Sequence, residues 1–172
     1  MKKTFLLFAL TCFISVSVTR GQSVKDSKLG IGAEFLLPFG DNAGLVDYGV
    51  GASLQYQHTL AEQVRLSLSV GYIDFSGKEV FVGVKYDEGY VPIKAGLKYF
   101  ISTYIYAAGE GGVAISTANG SGSGTAFAYS AGAGTEFPVG QSNTLDFGLR
   151  YEGWSRSNGT RSFAGLRAGF NF

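Results

Sequence analysis

The sequence predicts an all-β protein, an eight-stranded antiparallel up-and-down transmembrane β-barrel. Three observations carry that prediction. Eight stretches alternate between an apolar face and a face of glycine and charge, the connections between them alternate between short and long, and charged residues make up only 16% of the chain. Ordinary soluble domains carry roughly 25%. No apolar run after residue 22 is long enough for a membrane-spanning helix, so any span must be built from strands, and strands in lipid must close on themselves to satisfy their backbone groups.

Residues 1–21 read as a secretory signal peptide. Met1-Lys2-Lys3 is basic, residues 4–18 are apolar, and Thr19-Arg20-Gly21 brings small residues to the cleavage region. Residues 22–172 are then expected to be the exported barrel domain. The chain's one cysteine, Cys12, lies in the leader, so no disulfide is expected. An alternative makes Cys12 a lipid-acylation site, which would truncate the apolar stretch and place bulky Phe13 after it.

Strand side chains point alternately to two faces. Taking every second residue, the apolar faces run Leu29 to Leu37, Tyr48 to Tyr56, Val64 to Tyr72 and Ile93 to Ile101. They continue from Ile105 to Val113, Tyr129 to Phe137, Leu145 to Gly153 and Ala164 to Phe172. Each is about nine residues, the length a tilted strand needs to cross the hydrocarbon core. The expected connections are Pro38 to Gly44, a turn around Leu60-Ala61-Glu62, Ser76 to Tyr90, a turn at Ser102-Thr103, the glycine-serine run Asn119 to Gly124, Pro138 to Asn143, and Ser155 to Arg161. Short turns would then lie on the side of both termini, facing the periplasm. Pro38 and Pro138 are expected at strand ends, and Pro92 at the start of the fourth strand, because proline cannot donate to the ladder.

The opposite faces hold Glu34, Arg65, Lys94, Lys98, Glu110, Glu136, Asp146, Arg150, Glu152 and Arg167, five acids against five bases. Reversing the fifth strand would put Glu110 against lipid, at a cost of a few kcal/mol. Asp74 shares its parity with Tyr72 and is expected above the hydrocarbon. An eight-stranded barrel is only wide enough for side chains to fill, so the inner glycines make room for long cations. Arg167 and Arg150 are expected to bridge Glu34 or Glu110. Arg65, Lys98, Glu136 and Asp146 should form a second cluster near the periplasmic end. Alternation alone leaves open a soluble lipocalin-like binder with the aliphatic face inside. That arrangement would leave a glycine-rich, charge-poor surface in water.

The closing Phe170-Asn171-Phe172, the segment from Tyr90 to Phe100 and the segment from Tyr106 to Val113 resemble the outer membrane protein β-barrel domain family, the small eight-stranded barrels of bacterial outer membranes. The resemblance covers essentially the whole mature chain. It implies that Phe170 and Phe172 belong to a terminal signal read by the barrel-assembly machinery. Members of the family serve as adhesins, anchors, narrow channels or occasionally enzymes, and membership does not choose among them.

A net charge of +1 without a basic stripe argues against nucleic acid as a partner. One histidine and no mature cysteine predict no metal centre, and no cofactor is expected. His58 falls on the lipid-facing parity near a short turn, with no serine or carboxylate placed by sequence to act with it, so an enzyme is not expected. The segment Lys78 to Glu88 alternates like a protruding hairpin, and Val80, Val82 and Val84 could offer an edge to a partner strand. The expectation is a monomer in outer-membrane lipid with a charge-filled interior. It would have a structural role or an adhesin-like one, meeting an extracellular protein partner through its loops. The alternatives are a narrow channel for small solutes and a lipid-modifying barrel enzyme.

Overall fold

The computed structural model describes residues 27–40, 46–77, 79–81, 84–85, 88–118, 124–140, 142–157 and 159–172. The leader reading lies outside them. Among the described residues ten strands follow one another: β1 (Ser27–Phe39), β2 (Val46–Ala61), β3 (Val64–Gly77), β4 (Glu79–Phe81), β5 (Val84–Lys85), β6 (Glu88–Phe100), β7 (Ile105–Ser116), β8 (Thr125–Val139), β9 (Asn143–Arg156) and β10 (Gly159–Asn171). Eight of them close an antiparallel barrel in the order β1-β10-β9-β8-β7-β6-β3-β2. The two short ones, β4 and β5, pair separately within the long connection between β3 and β6, so the expected hairpin there is a small sheet of its own.

Closure brings the first strand against the last, with Ile31 opposite Phe170, Glu34 opposite Arg167 and Phe39 opposite Ser162. Leu29 and Phe172 exchange backbone hydrogen bonds of 3.1 and 2.8 Å and finish the seam. Both ends of the described chain therefore sit at the short-turn end, with the connections after β2, β6 and β8.

The eight apolar faces all point outward. Leu149 and Leu166 are 60% and 49% exposed, while Arg167 is 9% exposed and Asp146 and Glu152 are fully buried. A lipocalin-type lumen would require the reverse, and the soluble alternative fails on this partition. Two outer bands of aromatic rings border the apolar wall. Tyr48, Tyr72, Phe127 and Tyr151 lie toward the long-connection end, and Tyr56, Tyr99, Phe137 and Phe172 toward the other. Such belts mark the two membrane boundaries in barrels that cross lipid. Asp74 is exposed near the long-connection end, opposite Val50 and Gly89.

Two expectations about the elements are corrected. The barrel strands run 12 to 16 residues, beyond the expected nine. The last connection consequently shrinks to residues 157–158, because β9 and β10 continue their pairing up to Arg156 and Gly159. Gly159 takes a φ of +132°, which side-chain-bearing residues avoid. Pro92 does not open a strand, since β6 begins four residues earlier at Glu88. The barrel accommodates it by a gap: the β3–β6 ladder runs from Val64↔Tyr99 to Val70↔Ile93 and resumes at Ile73↔Tyr90. The skipped positions face Val91 and Pro92, where the missing N–H interrupts the pairing.

Candidate functional site

The lumen is filled in three tiers. In the middle, the Arg150 guanidinium lies between two carboxylates, with Nη1 2.8 Å from Glu34 Oε2 and Nε 2.6 Å from Glu152 Oε2. Glu152 also receives Lys94 Nζ at 3.1 Å and the Trp154 indole N–H at 2.9 Å. Lys94 reaches Glu110 Oε2 at 3.3 Å, and Ser67 donates to the other Glu110 oxygen at 3.1 Å. Glu34 receives Arg167 Nε at 3.3 Å and the Ser53 hydroxyl at 2.5 Å. Both arginines meet Glu34; Glu110 is held by Lys94 instead.

Toward the short-turn end, Lys98 Nζ bridges Glu136 Oε1 at 3.0 Å and Asp146 Oδ2 at 2.5 Å. Arg65 Nη1 sits 2.7 Å from Glu136 Oε2, and the Tyr106 hydroxyl donates to Asp146 Oδ1 at 2.6 Å. Aromatic faces support these cations. Arg65 stands 4.2 Å above the Phe100 ring and Lys98 Nζ 4.2 Å above Tyr106. Arg167 Nη1, 3.3 Å from Asp146 Oδ2, joins the two clusters into one network. All ten charged residues named from the sequence belong to it.

Glycine supplies the space for the long cations. A Cβ on Gly165 would come 3.1 Å from Arg150 Cγ, and one on Gly32 would come 2.9 Å from the Arg167 guanidinium. The two interior cavities bordered by Arg150 and Arg167 measure about 50 and 30 Å³. At roughly 10–15 Å³ of such volume per water, they are spaces for a few waters rather than a solute path.

The third tier lies at the long-connection end and is apolar. Phe75, Tyr90, Trp154 and Phe163 interlock, with ring centroids 5.2 Å apart for Phe75–Phe163, 4.9 Å for Tyr90–Trp154 and 5.0 Å for Trp154–Phe163. Leu36, Val46 and Ile73, with Ala114, Ala126 and Ala128, complete this buried cluster. Above it, Arg161 Nη1 pairs with Glu88 Oε2 at 2.7 Å, and Arg156 lies 5.6 Å from the Tyr90 ring centre. The sequence reading stopped each strand at about nine residues and missed this plug. Extending the same alternation by up to three residues upward places Phe75, Tyr90 and Trp154 inward.

His58 lies on the outer wall at the short-turn end, but not apart from every serine. The β1–β2 register pairs Ser27 with His58, and Ser27 Oγ is 2.7 Å from His58 Nδ1. The partner is 31 residues away in sequence and was invisible to local spacing.

No family model and no curated protein matches the chain. Solved structures do. Ail, the attachment invasion locus protein of Yersinia pestis, in complex with the heparin analogue sucrose octasulfate, has a TM-score of 0.58 and 21% identity, covering 86% of this chain and 98% of that one. Neisserial surface protein A gives 0.60 and 18% over 84% of this chain and 95% of that one. The N-terminal β-barrel domain of Pseudomonas aeruginosa OprF gives 0.52 and 18% over 84% and 97%. At these identities the likeness is one of fold.

Proposed function

We propose that this chain, which has the fold of the small eight-stranded outer-membrane barrels, is an integral outer-membrane protein whose sealed body holds an extracellular rim in place for structural or adhesin-like contacts. The observation that carries the reading is the filled lumen. Ion pairs occupy its lower two tiers and four interlocked aromatic rings its mouth, which among the described residues leaves no path for transport through the interior and favours the rim as the place to meet partners. That Ail, a protein of the same fold, has been seen in complex with a heparin analogue supports a ligand-contacting role. Export by a leader in residues 1–21, recognition of Phe170 and Phe172 by the assembly machinery, and a monomeric state belong to the same proposal. So does a stabilising role for the ion network.

Two measurements test it. The protein in outer-membrane fractions should migrate differently before and after boiling, as a closed barrel does. The purified barrel should give no sustained openings in planar bilayers. Reproducible single-channel conductance would replace this reading with that of a narrow channel.

A further inference from the structure

The outer wall carries a polar cluster that the sealed lumen does not use. Ser27 and His58 are in register across β1 and β2, and both share the outward parity of Leu29, Leu54 and Tyr56. The Tyr56 hydroxyl donates to Ser27 Oγ at 3.0 Å, and Ser27 Oγ lies 2.7 Å from His58 Nδ1. A serine hydroxyl has one proton to give. Its oxygen can accept from Tyr56 while that proton is donated to Nδ1; in that tautomer Nδ1 is the acceptor and the neutral ring keeps its own proton on Nε2. Among the described residues nothing accepts that Nε2–H.

The depth of the cluster says what does. Tyr56, Tyr99 and Phe172, 40%, 51% and 52% exposed, form the aromatic belt at this end of the wall. Such rings sit at headgroup level. We propose that His58 Nε2–H donates to the phosphodiester of a phospholipid headgroup in the leaflet at the short-turn end, its tautomer locked by the Tyr56–Ser27 relay. This inference rests on the membrane reading above. A serine beside an imidazole is also the start of a hydrolytic pair, but such a base is oriented by a third group, and among the described residues no carboxylate reaches the ring. Binding is therefore the use that the geometry supports.

The chain has a single histidine, so its ring nitrogens can be observed without ambiguity. The experiment is solid-state NMR of 15N-histidine-labelled barrel in phosphatidylethanolamine–phosphatidylglycerol vesicles at pH 8, where imidazole is ordinarily neutral. The expected result is an unprotonated Nδ1, a protonated Nε2 and a dipolar contact between Nε2 and lipid 31P. Ser27→Ala and Tyr56→Phe should each mix the tautomers and weaken the 31P contact at least twofold, with the barrel still heat-modifiable. A protonated Nδ1 in the wild type, the absence of 31P contact, or an unchanged tautomer ratio in Ser27→Ala would overturn the assignment. Release of lysophospholipid dependent on Ser27 would also overturn it, in favour of hydrolysis. An equal 31P contact with added inorganic phosphate, in a detergent whose headgroup carries no phosphorus, would overturn the lipid as the source. A barrel that does not enter vesicles at all refutes the membrane reading itself, an outcome distinct from an inserted barrel lacking the contact.

Discussion

Replacing Arg150 with methionine should destabilise the barrel by about 3 kcal/mol, and replacing Arg65 by only about 1 kcal/mol. Breaking a buried ion pair costs roughly 3–5 kcal/mol because a charge is stranded in low dielectric. The Arg150 side chain is 15% exposed and touches two carboxylates, Glu34 and Glu152, themselves 6% and 0% exposed. Each keeps another cation, Arg167 at 3.3 Å and Lys94 at 3.1 Å, which holds the loss near the lower end of that range. Arg65 is 25% exposed at the rim and is paired with one carboxylate, Glu136, which retains Lys98 at 3.0 Å. Its loss should therefore resemble that of a surface pair, at most about 1 kcal/mol. The difference, about 2 kcal/mol, is roughly a thirtyfold change in the unfolding equilibrium. Urea titration in phospholipid vesicles, read by the fluorescence of the single tryptophan and by the heat-dependent band shift, would measure both. Adding Glu34→Met to the Arg150 variant removes one of the two carboxylates that lost a cation and should recover about 1 kcal/mol. Equal costs for the Arg150 and Arg65 variants, or no recovery in the double variant, would refute the network as a source of stability.

Three other perturbations reach separate parts of the molecule. Trp154→Ala removes a ring that is 2% exposed and packed against Phe75, Tyr90 and Phe163, and should cost about 3–5 kcal/mol by denaturant midpoint, yet open no channel because the ion tiers below still fill the lumen. Leu149→Arg, at a position 60% exposed on the outer wall, should cost about 2–4 kcal/mol in a bilayer; a cost near zero would place that wall in water. Phe172→Ala keeps the backbone bonds to Leu29 and should lower the amount of protein reaching the outer membrane several-fold while leaving refolding in detergent unchanged; loss of both would make the ring structural rather than a signal.

The facing of the barrel strands was legible in the sequence, because on the strands that carry ions a one-residue error in phase would have put a charge such as Glu110 or Arg167 into lipid, where no compensation exists. Strand ends were not. The lipid constraint acts only over the hydrocarbon core, and beyond it β9 and β10 continue by ordinary pairing that leaves no hydrophobic mark. The aromatic plug was hidden for a related reason: Phe75, Tyr90 and Trp154 lie beyond the hydrocarbon core, where no lipid constraint marks the inner face. Pro92 was misplaced because a proline rule was applied to the strand, whereas the barrel absorbs the defect in one ladder while β6 stays paired with β7 through Pro92↔Ala114. Individual ion partners were only partly legible. Charge balance puts acids and bases in one lumen, but the choice of Glu34 over Glu110 for the arginines follows from register across the β1–β10 seam, where Glu34 faces Arg167. Ser27 and His58 meet by the same kind of register, which no local motif encodes.

The central partition, greasy wall outside and ions with aromatic rings within, can be read from the protein's single tryptophan. In vesicles containing lipids brominated along their acyl chains, native Trp154 should be hardly quenched. A tryptophan moved to position 149 in a Trp154→Phe background should be quenched strongly. Strong quenching of Trp154 together with a protected Trp at 149 would turn the barrel inside out and contradict the account.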